Sequence, residues 1–437
     1  MNKLSIDSRK YGKLLLQGAH VIDPQTGLDD NVDLLLEGEV VTAVGKDLSI
    51  GSAEVVDLKG KMIIPGMVDA HVHLREPGFE TRETLATGAN AAVAGGFTAV
   101  CAMPNTAPVV DNRGVAQLIR ERTREAPVHI YPIAAITYGL EGKDLVEMAD
   151  LAETEIAGFS DDGNCVQSAA VMRNAMKYAD MLKLPIVSHC QDNATFGAGV
   201  MNESEVSTRL GLVGIPTLAE DLIAARELLL AEYDNTAVHL AHVSTFRSVE
   251  MIRAAKARGV RVTAEATPHH FTLTDKEVAS FNPNFKMSPP LRSAEDVAAI
   301  IEGLKDGTID IIVTDHAPHT WEDKCREFDF APFGIIGLET ALGLAWRELV
   351  QTSQITLQQW IHLVSIAPRQ IFPLPEVKIE QGGRAELTLI DPEQKWTYQA
   401  KTGLSRSRNT PFDGAQLTGR PLGVVACGKL SMLNGAE

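Results

Sequence analysis

Asp69-Ala70-His71-Val72-His73-Leu74-Arg75 closes an apolar run, Met62-Ile63-Ile64-Pro65-Gly66-Met67-Val68. Alternate side chains of a strand point to one face. His71 and His73, two apart, therefore converge on one point. Two neutral imidazoles flanked by Asp69 are the start of a metal site. A bare His-x-His is weak evidence, so the rest of the chain must supply further ligands.

Seven more apolar runs of strand length follow: 97–103, 128–136, 156–160, 185–189, 237–242, 261–266 and 309–314. Helical stretches alternate with them, among them 114–124, 168–182, 218–231, 248–257 and 295–305. Eight strand–helix units predict a (β/α)8 TIM barrel. A doubly wound sheet is the alternative, but it gives no reason for what ends the runs. His71 and His73 end the first run and Asn105 follows the second. Asp161 and Asp162 follow the fourth, His189 ends the fifth and His242 the sixth. His269 and His270 follow the seventh, and Asp315, His316 and His319 the eighth. Singly, each reads as a core histidine or a helix cap. Together they mark the carboxyl end of a barrel, where active sites form. Outside this region, residues 13–56 and 385–427 read as short strands with Gly and Asp turns. Their matching character points to one small composite β-sandwich domain from both chain ends, with two unrelated flaps as the alternative. The expected boundaries are 1–64 and 376–437, flanking a barrel at 65–375.

The 437 residues include 40 Lys and Arg against 57 Asp and Glu, a net charge of −17. That acidity argues against nucleic acid as a partner. An anionic substrate would need a locally positive pocket. Five scattered cysteines without a Cys-x-x-Cys pair suggest a reduced compartment. No signal peptide or membrane-length run is apparent, so a cytoplasmic protein is expected.

His71, His73, His189, His242 and Asp315, with one carboxylate from the fourth run, make four imidazoles and two carboxylates. That set suits two Zn²⁺ ions held by nitrogen and oxygen. Two metals roughly 3.5–4 Å apart need a bridging anion. Many related sites use a carbamoylated lysine, yet the nearest lysines here are Lys143 and Lys177. Asp161 or Asp162 must bridge instead. Neighbouring strand residues point opposite ways, so only one can, and these residues alone leave the choice open.

The run Pro65–Pro77–Gly78, read through His71 and His73, resembles the signature of the dihydroorotases of the amidohydrolase superfamily. So do Met103-Pro104-Asn105-Thr106, Ser160-Asp161-Asp162-Gly163, His242-Val243-Ser244-Thr245, Thr263–His270 and Thr314-Asp315-His316-Ala317-Pro318-His319. The matches keep their order over nearly the whole chain. The resemblance implies the barrel, the composite β domain, zinc, and Asp162 as the bridging residue. It implies reversible ring closure of N-carbamoyl-L-aspartate to dihydroorotate in pyrimidine synthesis. Asp315 would be both metal ligand and proton carrier. Arg75 and Asn105 would bind the unreactive substrate carboxylate, with His73, His319, Phe333 and Gly334 also touching substrate. His316, His269 and His270 would support the site from behind. Relatives usually have Asn before Pro-Pro-Leu-Arg; Ser288 stands there, with shorter reach and one donor. Two rival readings follow from the same residues: a hydantoinase- or allantoinase-type cyclic amidase, and a weakly active scaffold for aspartate carbamoyltransferase. The family likeness also makes a homo-oligomer the expectation.

Overall fold

The computed structural model describes residues 4–49 and 51–434. Eight parallel strands follow one another in chain order: Met67–Val72, Phe97–Ala102, His129–Ala134, Gly158–Ser160, Ile186–Ser188, Val238–Leu240, Val262–Ala266 and Ile311–Ile312. These are the first to eighth barrel strands. A parallel bridge from Val72 to His316, with His73 N donating to His316 O at 2.8 Å, joins the first to the eighth. Asp69 reinforces that seam. Its carboxylate accepts from Thr314 N (3.1 Å), Thr314 Oγ1 (2.6 Å) and His71 N (3.2 Å). Asp69 is thus spent on closing the ring. Burial pushes its pKa up to about 6, although the Thr314 bonds oppose the shift.

The helices Arg113–Arg122, Ala169–Leu182, Leu218–Asp234, Phe246–Ala257 and Ala294–Asp306 fill the five stretches read as helical. Asn112, Ser168, Thr245 and Ser293 each accept a backbone N–H from the first turn of the helix they precede. Such a cap is worth about 0.5–2 kcal/mol. Below the barrel, Phe372 and Leu374 pack with Val68, Ala99, Ile133, Val187 and Ile311. That apolar plug leaves the carboxyl end as the polar end. Among the described residues no helix is long and apolar enough to cross a membrane.

The apolar run that begins at Met62 splits at Gly66. Met62–Pro65 leaves the barrel and pairs antiparallel with Leu387–Thr397 and parallel with Lys13–Asp23. Strands from both chain ends join there in one nine-stranded sheet. Leu14, Leu16, Leu34 and Leu36 share a core with Leu387, Leu389 and Val425. A Cβ on Gly66 would stand 2.2 Å from Thr98 Oγ1, so the crossing requires glycine.

Charge also ties sheet to barrel. Glu386 on the sheet side receives Arg369 (3.0 Å) and lies 3.2 Å from His129 of the third barrel strand. Burial opposes the charge on both groups. Against it, the His129 and Arg369 contacts bring the Glu386 pKa down to about 2. Cys427 and Glu386 raise that of His129 to about 9. A raised histidine pKa stabilises the fold fully below about pH 6.5 and loses that contribution as pH rises through about 9. Thermal melts across that window are expected to show falling stability, with a shallower fall in His129→Gln.

Candidate active site

The polar strand ends converge at the barrel mouth. Three groups of ligand-type atoms lie within 4.8 Å of one another: His71, His73 and Asp162; His71, His242 and Asp315; and Asp162, His189 and His242. Asp162 divides its two oxygens between the halves of the cluster. Oδ2 is 3.4 Å from His73 Nε2. Oδ1 is 3.2 Å from His189 Nδ1, 3.3 Å from His242 Nε2 and 3.4 Å from His71 Nε2. Its neighbour Asp161 turns away and accepts from Ile136 N (2.8 Å) and Thr137 N (3.0 Å). The two aspartates thus point opposite ways, and Asp162 is the one that enters the cluster. Asp315 Oδ1 lies 3.0 Å from His73 Nε2 and 3.7 Å from His71 Nε2.

These donors fit divalent cations that take nitrogen and oxygen ligands. His71 Nε2 is buried without a hydrogen-bond partner, facing two carboxylates at near-ligand distance. Burial works against a charge on His71, but Glu265, Asp162 and Asp315 outweigh it and hold its pKa well above the ordinary value. The same anionic field would hold a cation. His242 (φ 31°), Asp315 (φ 47°) and Arg75 (φ 63°) all have left-handed backbones. Side-chain-bearing residues adopt that region at a cost of about 1–3 kcal/mol, and such strain clusters at functional sites.

Arg75 does not sit on the His71/His73 strand face, because the strand ends at Val72. Its left-handed turn instead brings a buried guanidinium back beside the cluster. Nε donates to Pro318 O at 3.2 Å. Glu76 pairs with Arg122 and Glu80 accepts from Gly78 N, so neither takes Arg75. No carboxylate bonds Arg75 among the described residues. Burial, with the charge of Arg82, lowers its pKa to about 10, so it stays cationic at neutral pH. A buried cation that no carboxylate bonds directly, with Asp315, Asp162 and Glu83 only in its wider surroundings, is a place for an anion.

The other expected substrate residues lie around this point. Asn105 Oδ1 meets His73 Nδ1 at 2.9 Å. Ser288 Oγ donates to Gln191 Oε1 at 3.3 Å. His319 is buried, its ring nitrogens make no hydrogen bond among the described residues, and Asp323 Oδ2 lies 3.8 Å from Nδ1. Burial and the charge of Arg75 lower its pKa to about 2, so the ring is neutral. Gly334 N already donates to Lys286 O at 2.9 Å, so that N–H is not available to a substrate ring. The Phe333 ring lies 4.7 Å from Lys286 Nζ. His316 accepts from Gly337 N, and His270 bridges Thr267 and the Pro289 carbonyl, so both support loops.

Sequence reading missed Glu265. It is fully buried on the seventh barrel strand, with Oε1 2.5 Å from His71 Nδ1 and 3.1 Å from His242 N. Its Oε2 meets His239 at 3.0 Å. This fixes the His71 tautomer so that Nε2 faces the cluster. The signal was present: an acid inside an apolar strand needs a partner. Lys286 was missed too, and it caps the carbonyls of Phe328 (2.8 Å) and Asp329 (2.9 Å).

A family model described as Dihydro-orotase-like matches residues 60–248. A dihydroorotase of Pelotomaculum thermopropionicum is 49% identical over 420 residues, covering 96% of this chain and 98% of that one. Another from Syntrophus aciditrophicus is 48% identical over 423 residues, covering 96% and 99%. The chain belongs to the dihydroorotase family. As a member of the dihydroorotases it is a metal-dependent enzyme acting on a cyclic amide. Solved structures agree on the fold. The L-hydantoinase (dihydropyrimidinase) of Arthrobacter aurescens has a TM-score of 0.84 at 22% identity, covering 95% of each chain. A dihydropyrimidinase of Brevibacillus agri has 0.82 at 21%, covering 96% and 94%.

Glu265→Gln keeps the size of the side chain and removes its charge. Divalent-metal affinity, measured by chelator competition, is expected to fall about 10–100-fold.

Proposed function

We propose that this chain interconverts N-carbamoyl-L-aspartate and dihydroorotate for pyrimidine biosynthesis, using the residues gathered at the barrel mouth. One observation carries the reading: a buried guanidinium without a carboxylate partner stands beside a cluster of four imidazoles and two carboxylates. The cluster suits amide hydrolysis. The guanidinium suits a substrate with a carboxylate that does not react, which simple hydantoins lack.

His71, His73, His189, His242, Asp162 and Asp315 would hold two Zn²⁺ ions, Asp162 reaching both halves of the cluster with its two oxygens. Bound there, the metal supplies Lewis acidity, bringing the pKa of water towards neutrality and polarising the amide carbonyl. Asp315 takes a proton from the attacking water and delivers it to the ring nitrogen as the C–N bond breaks. Ring closure runs the same transfers backwards. Burial disfavours its charge, but His71 and His73 outweigh it and hold its pKa below the ordinary carboxylate value. With cations bound beside it, the carboxylate would stay ionised until the proton arrives. Arg75 forks onto the spectator carboxylate. Asn105 steadies His73 through Oδ1 and keeps its N–H₂ for the same carboxylate. Ser288 adds one short donor, already turned to Gln191. Neutral His319 can donate or accept a single hydrogen bond to the substrate, beside Phe333 and Gly334.

A dihydroorotate assay coupled to metal analysis of the purified chain tests the reading. Faster turnover of hydantoin or allantoin would overturn it. Asp315→Asn is expected to lower kcat by about 10²–10⁴-fold while the circular dichroism spectrum is retained. Near-normal turnover would refute the proton-carrier role. For Arg75→Ala, the KM for dihydroorotate is expected to rise about 10- to 150-fold with bound metal unchanged. An unchanged KM would remove Arg75 from the site.

A further inference from the structure

We infer that Asn409, far along the chain from the barrel strands, is a positioning residue that clamps together the two loops on the substrate side of the pocket. The inference rests on the roles proposed for His319 and Gly334. The Asn409 side chain is buried, and each of its polar groups is used. Oδ1 accepts from His319 N at 3.0 Å. Nδ2 donates to Ala317 O at 2.9 Å and to Gly334 O at 3.0 Å. Its main-chain carbonyl accepts from Ile336 N at 3.0 Å. One N–H on one side and two carbonyls on the other allow a single orientation of the amide. One side chain thus joins the loop after the eighth barrel strand to the loop that carries Gly334.

The spacing it holds is tight. Gly334 has φ 145°, and a Cβ there would lie 2.7 Å from His319 Cδ2. The Gly334 backbone therefore rests on the edge of the His319 ring. Among the described residues neither buried ring nitrogen of His319 makes a hydrogen bond, although Asp323 Oδ2 stands 3.8 Å from Nδ1, which leaves Nε2 as the atom for a ligand. Letting such a contact slacken weakens the hold on bound substrate before it touches the chemistry at the cation cluster.

Its own segment is held by two buried acids, one on the loop after the first barrel strand and one just past the Gly334 loop. Glu83 accepts from Arg406 N at 2.9 Å and pairs with Ser405 Oγ. Glu339 accepts from Leu404 N at 3.0 Å and Ser405 N at 3.1 Å. Asn409 therefore brings a distant part of the chain, anchored in part on Glu83, to the pocket, and it bonds none of the cluster's metal-type ligands.

The metal-loaded variants Asn409→Asp and Asn409→Ala test the clamp. Asp keeps the shape and the bond to His319 N, but it sets an oxygen against two carbonyl oxygens. In both, the KM for dihydroorotate is expected to rise at least about tenfold, with kcat changing less than about threefold and bound metal unchanged. An unchanged KM overturns the inference. So does a loss of kcat in proportion to lost metal, which is the signature of a purely structural residue. If Asn409→Ala does not fold, Asn409→Asp decides on the same measurements. A readout without substrate separates the clamp from the function. Modification of His319 by diethyl pyrocarbonate, followed by mass spectrometry, is expected to quicken at least about fivefold in both variants. If the unaltered chain fails to turn over dihydroorotate, the functional reading falls and the modification rate alone decides for or against the clamp.

Discussion

A single carboxylate with two faces organises the centre of this molecule. Asp162 gives one oxygen to His73 and the other to His189, His242 and His71. These histidines stand at the ends of the first, fifth and sixth barrel strands. They can meet only because the ring is closed, and the seam that closes it is the buried bond network of Asp69 with Thr314. Stability and chemistry therefore share one constraint. The same seam holds Asp315, one residue beyond Thr314, against His73.

The barrel and most of the donor set were readable because both are written locally. Apolar runs of strand length and polar residues at their ends survive any uncertainty about boundaries. Strand alternation carried on from His71 and His73 would set Arg75 on their face, whereas a left-handed turn after Val72 puts it where it is. Alternation stops being a guide once the strand stops. Choosing between Asp161 and Asp162 from alternation alone was equally out of reach, since it says that neighbours diverge and not which one points inward. The answer lies in the loop after the third strand, whose backbone N–H groups take Asp161.

What escaped was written non-locally. Glu265 acts through His71, 194 positions away, and Asn409 through loops that hold no clue to it. A side chain whose work is to bond distant main chain leaves no periodic or spaced pattern. Gly66 is similar: its role comes from Thr98 packed on the neighbouring strand, not from its own turn. The composite sheet lay between these extremes. The two chain ends share a strand-like character, but their pairing through Met62–Pro65 is visible only in three dimensions.

The Asn409 clamp also bears on the order in which a newly made chain becomes competent. Translation delivers all six candidate ligands by the time residue 315 leaves the ribosome. The amide that spaces the neighbouring loops arrives almost a hundred residues later. A truncated product ending in between would carry every group of the cation centre and still lack the brace beside His319. The groups for the cation and the brace for the substrate side are thus contributed by separate stretches of the chain.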